Sequence, residues 1–167
     1  MGTIKYKIIE NFLDYNSFLE LKNYAFSSEI SWFWKKNQTK EDAGILNHKI
    51  YQNYLPNSDI YVKFIHNIIL KLKATALIDV RINLLVNNNK QESSNWHTDN
   101  GTCNSKTAIL YLNTCNGFTV LKLEKEELKV MCEENKMLIF DSNILHRAVR
   151  QTDTERRIVL NMNYYDN

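Results

Sequence analysis

The stretch from Asn95 to Asn100 places an imidazole, His97, two positions before a carboxylate, Asp99. Alternate residues of an extended strand share a face, so these two side chains can offer a ring nitrogen and a carboxylate oxygen to one metal ion. A His-x-Asp pair by itself is a weak signal and fits a surface turn equally well. His146 strengthens it, because it follows the apolar run Met137–Phe140 and a polar turn, and so opens another strand of the same scaffold. Two histidines and one carboxylate are the donor set that holds Fe(II) on one side and leaves three coordination positions open for substrate and O2. His48 and His66 have no such company, and His66 falls within a helical pattern; both are left out of the site.

Arg156 lies ten residues beyond His146 and opens the strand Arg156–Asn163. A guanidinium stays charged and grips a carboxylate with two parallel N–H groups, which suits the anchoring of an organic acid. Alternation sets Arg156, Ile158, Leu160 and Met162 on one face and Arg157, Val159 and Asn161 on the other. The apolar stripe reads as barrel interior, so Arg156 is the arginine expected to point inward.

Those side chains need a scaffold, and 167 residues, 44% of them hydrophobic, supply the core of one domain. Asp14 can cap a helix with Phe18, Leu21, Ala25 and Phe26 on one stripe. A second helix is expected from about Ser58 to Lys73, with Tyr61, Phe64, Ile65, Ile68 and Leu72 aligned and Asn57 or Ser58 as its cap. From Thr75 the period changes to two, with Ile78, Val80, Ile82, Leu84 and Val86 alternating with Asp79, Arg81, Asn83 and Leu85. Further strands are expected at Lys106–Asn113, Phe118–Leu123, Lys136–Phe140, His146–Arg150 and Arg156–Tyr164. Trp32 and Trp34 share a face of another short strand, and with the basic segment Lys35–Lys40 that follows they read either as a rim or lid over the pocket or as core tryptophans before a solvated loop. The fold class expected is α+β, with a double-stranded β-helix (jelly-roll) core and the N-terminal helices packed on one sheet. The whole of 1–167 reads as one domain, with a helical lead-in over about 1–74 and a jelly-roll core over about 75–165.

The motif series His97 and Asp99, then Lys106–Asn113, then Leu138–Ser142 with His146, then Glu155 and Arg156, resembles the core of Fe(II)/2-oxoglutarate dioxygenases of the prolyl 4-hydroxylase-like branch. The likeness covers about residues 78–165, and the segments Ile9–Leu13 and Ile30–Trp34 resemble the lead-in of small stand-alone members, some of them phage-encoded. It implies that His97, Asp99 and His146 ligate Fe(II) and that Arg156 binds the distal carboxylate of 2-oxoglutarate. It also implies that the Tyr111 hydroxyl contacts that carboxylate and that Asn83 is a candidate cosubstrate contact from the strand before His97. The implied activity is hydroxylation of a C–H bond, with O2 consumed and succinate and CO2 released. Implied substrates are a peptidyl-prolyl or other protein side chain, with a nucleobase or a small molecule as alternatives. The other reading of the same scaffold is a non-catalytic jelly-roll binding module.

A formal charge of +2 gives no strong nucleic-acid signal. Cys103, Cys115 and Cys132 cannot all pair within one chain and form no Cys-x-x-Cys, which fits a reducing compartment. The absence of a long apolar run completes the expectation of a cytoplasmic protein without a membrane span. Oligomeric state leaves no mark on the sequence.

Overall fold

The computed structural model describes residues 6–35, 45–99 and 104–166. Helix α1 (Tyr15–Phe26) begins where Asp14 Oδ1 accepts the Ser17 N–H at 3.0 Å, the capping bond expected. Its buried residues are Phe18, Leu21 and Ala25. The second helix differs from expectation at its start. A π-helical turn (Tyr61–Ile65) runs into α2 (His66–Leu72), and no side chain caps either. The Ser58 hydroxyl turns toward His48 instead, 2.9 Å from its Nε2.

The strands are β1 (Tyr6–Ile9), β2 (Phe33–Lys35), β3 (Ile45–Gln52), β4 (Leu55–Pro56) and β5 (Ala74–Val86), then β6 (Lys106–Tyr111), β7 (Phe118–Lys122) and β8 (Glu127–Met131). The series closes with β9 (Met137–Asp141), β10 (His146–Val149) and β11 (Arg156–Asp166). The larger sheet has the order β1-β9-β6-β11-β5-β3-β2, with β4 on β3, and the smaller has the order β10-β7-β8. All pairs are antiparallel, and the two sheets face each other as the walls of a jelly roll. The lead-in is less helical than expected, since β1 adds to one edge of the large sheet and β2, β3 and β4 to the other.

Period-two alternation divides the large sheet into two buried faces. Val80, Ile82, Leu84, Leu110, Ile158, Leu160 and Met162 pack against Phe18, Leu21, Phe64, Ile65 and Ile68 of the helical layer. Ile109, Tyr111, Leu138, Phe140 and Val159 point the other way, toward Leu121 and Val130 of the small sheet. The apolar stripe of β11 is therefore the helix-facing side, and Arg156 goes with it: its guanidinium carbon sits 5.1 Å from the centre of the Phe26 ring in α1. This corrects the assignment of Arg156 to the barrel interior. The inward arginine is Arg157, only 1% exposed. Leu160, fully buried on the helical side, is expected to cost about 2–5 kcal/mol when changed to alanine. Val86→Ala, at a half-exposed site, should stay within roughly 0.5 kcal/mol; denaturant unfolding of both variants checks the contrast.

Candidate metal centre

Backbone pairing brings two of the expected ligands together. The segment before Asp99 runs antiparallel beside β10: Ser94 N–H reaches Ala148 O at 2.8 Å, and Arg150 N–H reaches Glu92 O at 2.9 Å. His97 and His146 exchange both main-chain bonds, at 3.0 and 2.8 Å, and their rings lie 4.3 Å apart centre to centre. Each ring then sets its own tautomer. His97 Nδ1 is 3.0 Å from Asn95 O and His146 Nδ1 is 3.1 Å from Ile144 O. A carbonyl oxygen can only accept, so Nδ1 carries the hydrogen and the Nε2 lone pair remains available to a metal.

Asp99 completes the group. Its Oδ2 lies 3.8 Å from His146 Nε2, and one ligand atom from each of His97, Asp99 and His146 falls within 4.8 Å of the others. Asp99 and His146 are buried while His97 is exposed, so the cluster opens on the His97 side. Burial pulls on the Asp99 carboxyl in the upward direction, but Arg81, His146 and the amides of Asn163 and Asn161 outweigh it and hold the group below its usual 3.8. Burial also drives His146 below its usual 6.5, against the pull of Asp99. At neutral pH the carboxylate is ionised and His146 is neutral, the forms that bind a divalent cation.

Both shifts have the same consequence for stability. A depressed folded-state pKa means that the unfolded chain takes up the proton first as pH falls, so stability is lost on acidification. The melting temperature of the metal-free protein should decline as pH drops below 6.5 through His146 and again below 3.8 through Asp99. Substituting His146→Asn should flatten the first of these slopes; an unchanged slope in that variant contradicts the assignment.

Polar residues of β11 and β6 support the carboxylate from the barrel face. Asn163 Nδ2 donates to Asp99 Oδ2 at 3.1 Å, Asn161 Nδ2 at 3.3 Å and Thr107 Oγ1 at 3.3 Å. On the other oxygen, Arg81 Nη2 stands 3.5 Å from Asp99 Oδ1. Farther along β11 the same face carries Arg157. Its Nη2 donates to Thr119 Oγ1 at 3.0 Å, and that oxygen also accepts the Tyr111 hydroxyl at 2.9 Å. The guanidinium carbon sits 5.6 Å from the centre of the Tyr111 ring. Among the described residues no carboxylate pairs with Arg157, and its Nε has no hydrogen-bond partner.

No family model matches this sequence, and no curated protein does. Solved structures match along nearly the whole chain. An oxidoreductase of the 2OG-Fe(II) oxygenase family from Burkholderia pseudomallei aligns with a TM-score of 0.74 at 10% identity, covering 96% of this chain and 85% of that one. A prolyl-4-hydroxylase from Pseudomonas putida gives 0.72 at 15% identity, with 98% and 94% covered. A prolyl hydroxylase from Trichoplax adhaerens, in complex with a hypoxia inducible factor peptide fragment, gives 0.70 at 17% identity, with 98% and 84% covered. The fold is that of the 2-oxoglutarate–Fe(II) oxygenases. Within this oxygenase fold, His97, Asp99 and His146 meet, Tyr111 lies beside Arg157, and Arg156 is on the far side of the sheet.

Asn83 stands on the barrel face of β5, half-buried and opposite Val159 of β11 and Asn47 of β3. Sequence patterning sets Arg157 aside in favour of Arg156 and does not single out Thr119, Arg81, Asn161, Asn163 or Thr107 as site residues. One signal was available for three of them: in β11 the polar Arg157, Asn161 and Asn163 alternate with Ile158, Leu160 and Met162, and a strand buried on both faces does not spend three polar positions without use. Trp32 packs on the helical-side core, and Trp34, opposite Leu46, shares that face. Neither lies over the metal cluster, and Lys36–Lys40 fall outside the described residues. Cys115 and Cys132 are buried free thiols. Among the described residues no helix is long and apolar enough to cross a membrane.

Proposed function

We propose that this protein is an Fe(II)- and 2-oxoglutarate-dependent oxygenase that hydroxylates a C–H bond of a protein side chain, consuming O2 and releasing succinate and CO2. The observation that carries the reading is Arg157. A guanidinium that is 1% exposed and lacks a carboxylate partner is costly in a protein interior unless an anion joins it. Its unpartnered Nε supplies a donor for such an anion. Thr119 and Tyr111 fix the fork from one side. Val159, between Arg157 and Asn161 on the strand face, and Ile109 and Leu138 beside it give an apolar wall suited to the methylenes of a keto-diacid.

His97, Asp99 and His146 would hold the metal, and Arg157 with Tyr111 the distal carboxylate of 2-oxoglutarate. Iron in this site would supply the activation of O2 that couples loss of CO2 from the keto acid to oxidation of the substrate. The protein's own part is orientation. Reciprocal main-chain bonds hold the two histidines, the β11 amides and Arg81 hold Asp99, and the buried wall around Arg157 keeps water from the carboxylate it grips.

A protein side chain is the substrate assigned here because two of the structures similar to this chain are prolyl hydroxylases, one of them solved with a peptide. Incubation with Fe(II), O2 and 2-oxoglutarate should form succinate even without substrate, and mass spectrometry of candidate peptides should show the gain of one oxygen atom. No succinate under any condition would leave the jelly-roll binding module as the better account.

Gly117 offers a further check. A Cβ there would lie 3.0 Å from both Arg157 Cδ and Val149 O. Gly117→Ala must therefore move the arginine stem or the adjoining backbone, and should weaken 2-oxoglutarate binding while sparing Fe(II) affinity. Equal affinity for the keto acid in this variant would contradict a displacement of the Arg157 stem.

A further inference from the structure

Arg81 of β5 points to the barrel face, in register with Asn161 of β11 and Lys49 of β3. Its guanidinium stands between two carboxylates: Nη1 pairs with Asp79 Oδ1, and Nη2 lies 3.5 Å from Asp99 Oδ1. All three side chains are largely buried, at 19%, 12% and 6% exposure for Arg81, Asp79 and Asp99. The other Asp99 oxygen, Oδ2, is the one that faces His146 and takes the Asn161, Asn163 and Thr107 donors. We propose that Arg81 is a positioning residue, anchored by Asp79, that fixes the rotation of the Asp99 carboxylate so that Oδ2 is presented to the metal. The proposal rests on the metal site assigned above.

Rotation is the variable at stake. The terminal torsion of an aspartate is broad and roughly two-fold, so nothing intrinsic holds the carboxylate plane at one angle. The Oδ2 donors come from β11 and β6, on one side, and by themselves would let the group swing toward the two amides. Arg81 grips the opposite oxygen. A planar fork can span two carboxylates at once, one nitrogen to each, where a lysine ammonium acts as a single point. Asp79 serves to neutralise Arg81 and to stop it from leaning into the cluster, where its charge would oppose a cation.

Two accounts of Arg81 predict opposite signs. If its charge is what matters, Arg81→Ala removes a cation beside the metal, and binding should tighten or stay level. If orientation matters, binding should weaken by about the 10–100-fold typical of losing an outer partner of a metal ligand. The measurement is Co(II) affinity of the full chain by optical titration, with the Co(II) absorption spectrum as a second readout and Fe(II) competition as a third. Expected results are weaker binding and an altered spectrum in Arg81→Ala, with Arg81→Lys keeping the charge yet recovering only part of the affinity. Parent-like or tighter binding in Arg81→Ala overturns the proposal, as does full recovery in Arg81→Lys. Should Arg81→Ala fail to fold, Arg81→Met serves in its place, keeping the length of the side chain without charge or donor: weakened binding supports the proposal and parent-like or tighter binding overturns it. A parent protein that binds neither ion would remove the metal site and Arg81's role together, whereas a parent that binds with unaltered variants removes only the latter.

Discussion

Arg157→Ala is expected to raise the 2-oxoglutarate concentration for half-maximal succinate formation on the order of 100-fold or more, with Fe(II) affinity near that of the parent. The size follows from what the substitution removes: one partner of a buried, hydrogen-bonded charge pair costs about 2–5 kcal/mol in binding. The selectivity follows from position. Arg157 bonds Thr119 and lies over Tyr111, and neither it nor these partners touches His97, Asp99 or His146. Arg157→Lys should recover little, because an ammonium keeps the charge but loses the fork. Arg156→Ala is the control, since its guanidinium rests on Phe26 across the sheet and should leave the requirement for the keto acid unchanged. Steady-state titration of 2-oxoglutarate for the three variants tests the set, and a larger effect at Arg156 than at Arg157 would reverse the face assignment.

Asp99→Ala is expected to abolish succinate formation and to lower Fe(II) affinity by more than the roughly 100-fold that marks the upper range for loss of an outer partner. The carboxylate is the only anionic member of the triad, so its removal leaves two neutral imidazoles to hold a divalent ion. It also strips the Asn161 and Asn163 amides and Arg81 of a shared acceptor. Asp99→Asn separates the two effects, because the amide keeps much of the shape and loses the charge. If charge dominates, the asparagine variant should bind Fe(II) nearly as poorly as the alanine one. Retained activity in either variant would mean that Asp99 is not a ligand.

Much of this was legible from the chain because the chemistry-bearing residues sit in strongly patterned strands. Ile78 to Val86 and Arg156 to Tyr164 alternate so regularly that β5 and β11 were evident, and Asp14 stood where a helix cap should. Spacing makes His97 and Asp99 a possible chelating pair, the strand context of His146 adds a third donor, and their role as ligands is what the resemblance implies. What failed was the choice of face in β11. An apolar stripe suggests the inside of a barrel, but this sheet has two buried sides, and the more apolar one packs on helices. The barrel interior is the polar side, holding Arg157, Asn161 and Asn163 together with Arg81.

The same physics hid β3. Leu46, His48 and Ile50 turn toward the helical layer while Asn47 and Lys49 take the barrel face, so the strand lacks the apolar alternation that marks β5. In α2 the stripe is right and the cap is not, because the helix is entered through a π-turn and no side chain caps it. Arg81 illustrates a limit of another kind. Its role depends on two carboxylates reaching one guanidinium from positions two and eighteen residues away, and only the folded sheet brings them together.

Anaerobic calorimetric titration of 2-oxoglutarate into the Fe(II)-loaded protein tests the central claim most directly. Binding should be strong with the metal, weak without it, lost in Arg157→Ala and intact in Arg156→Ala. Affinity for the keto acid that ignores both the metal and Arg157 would contradict the account.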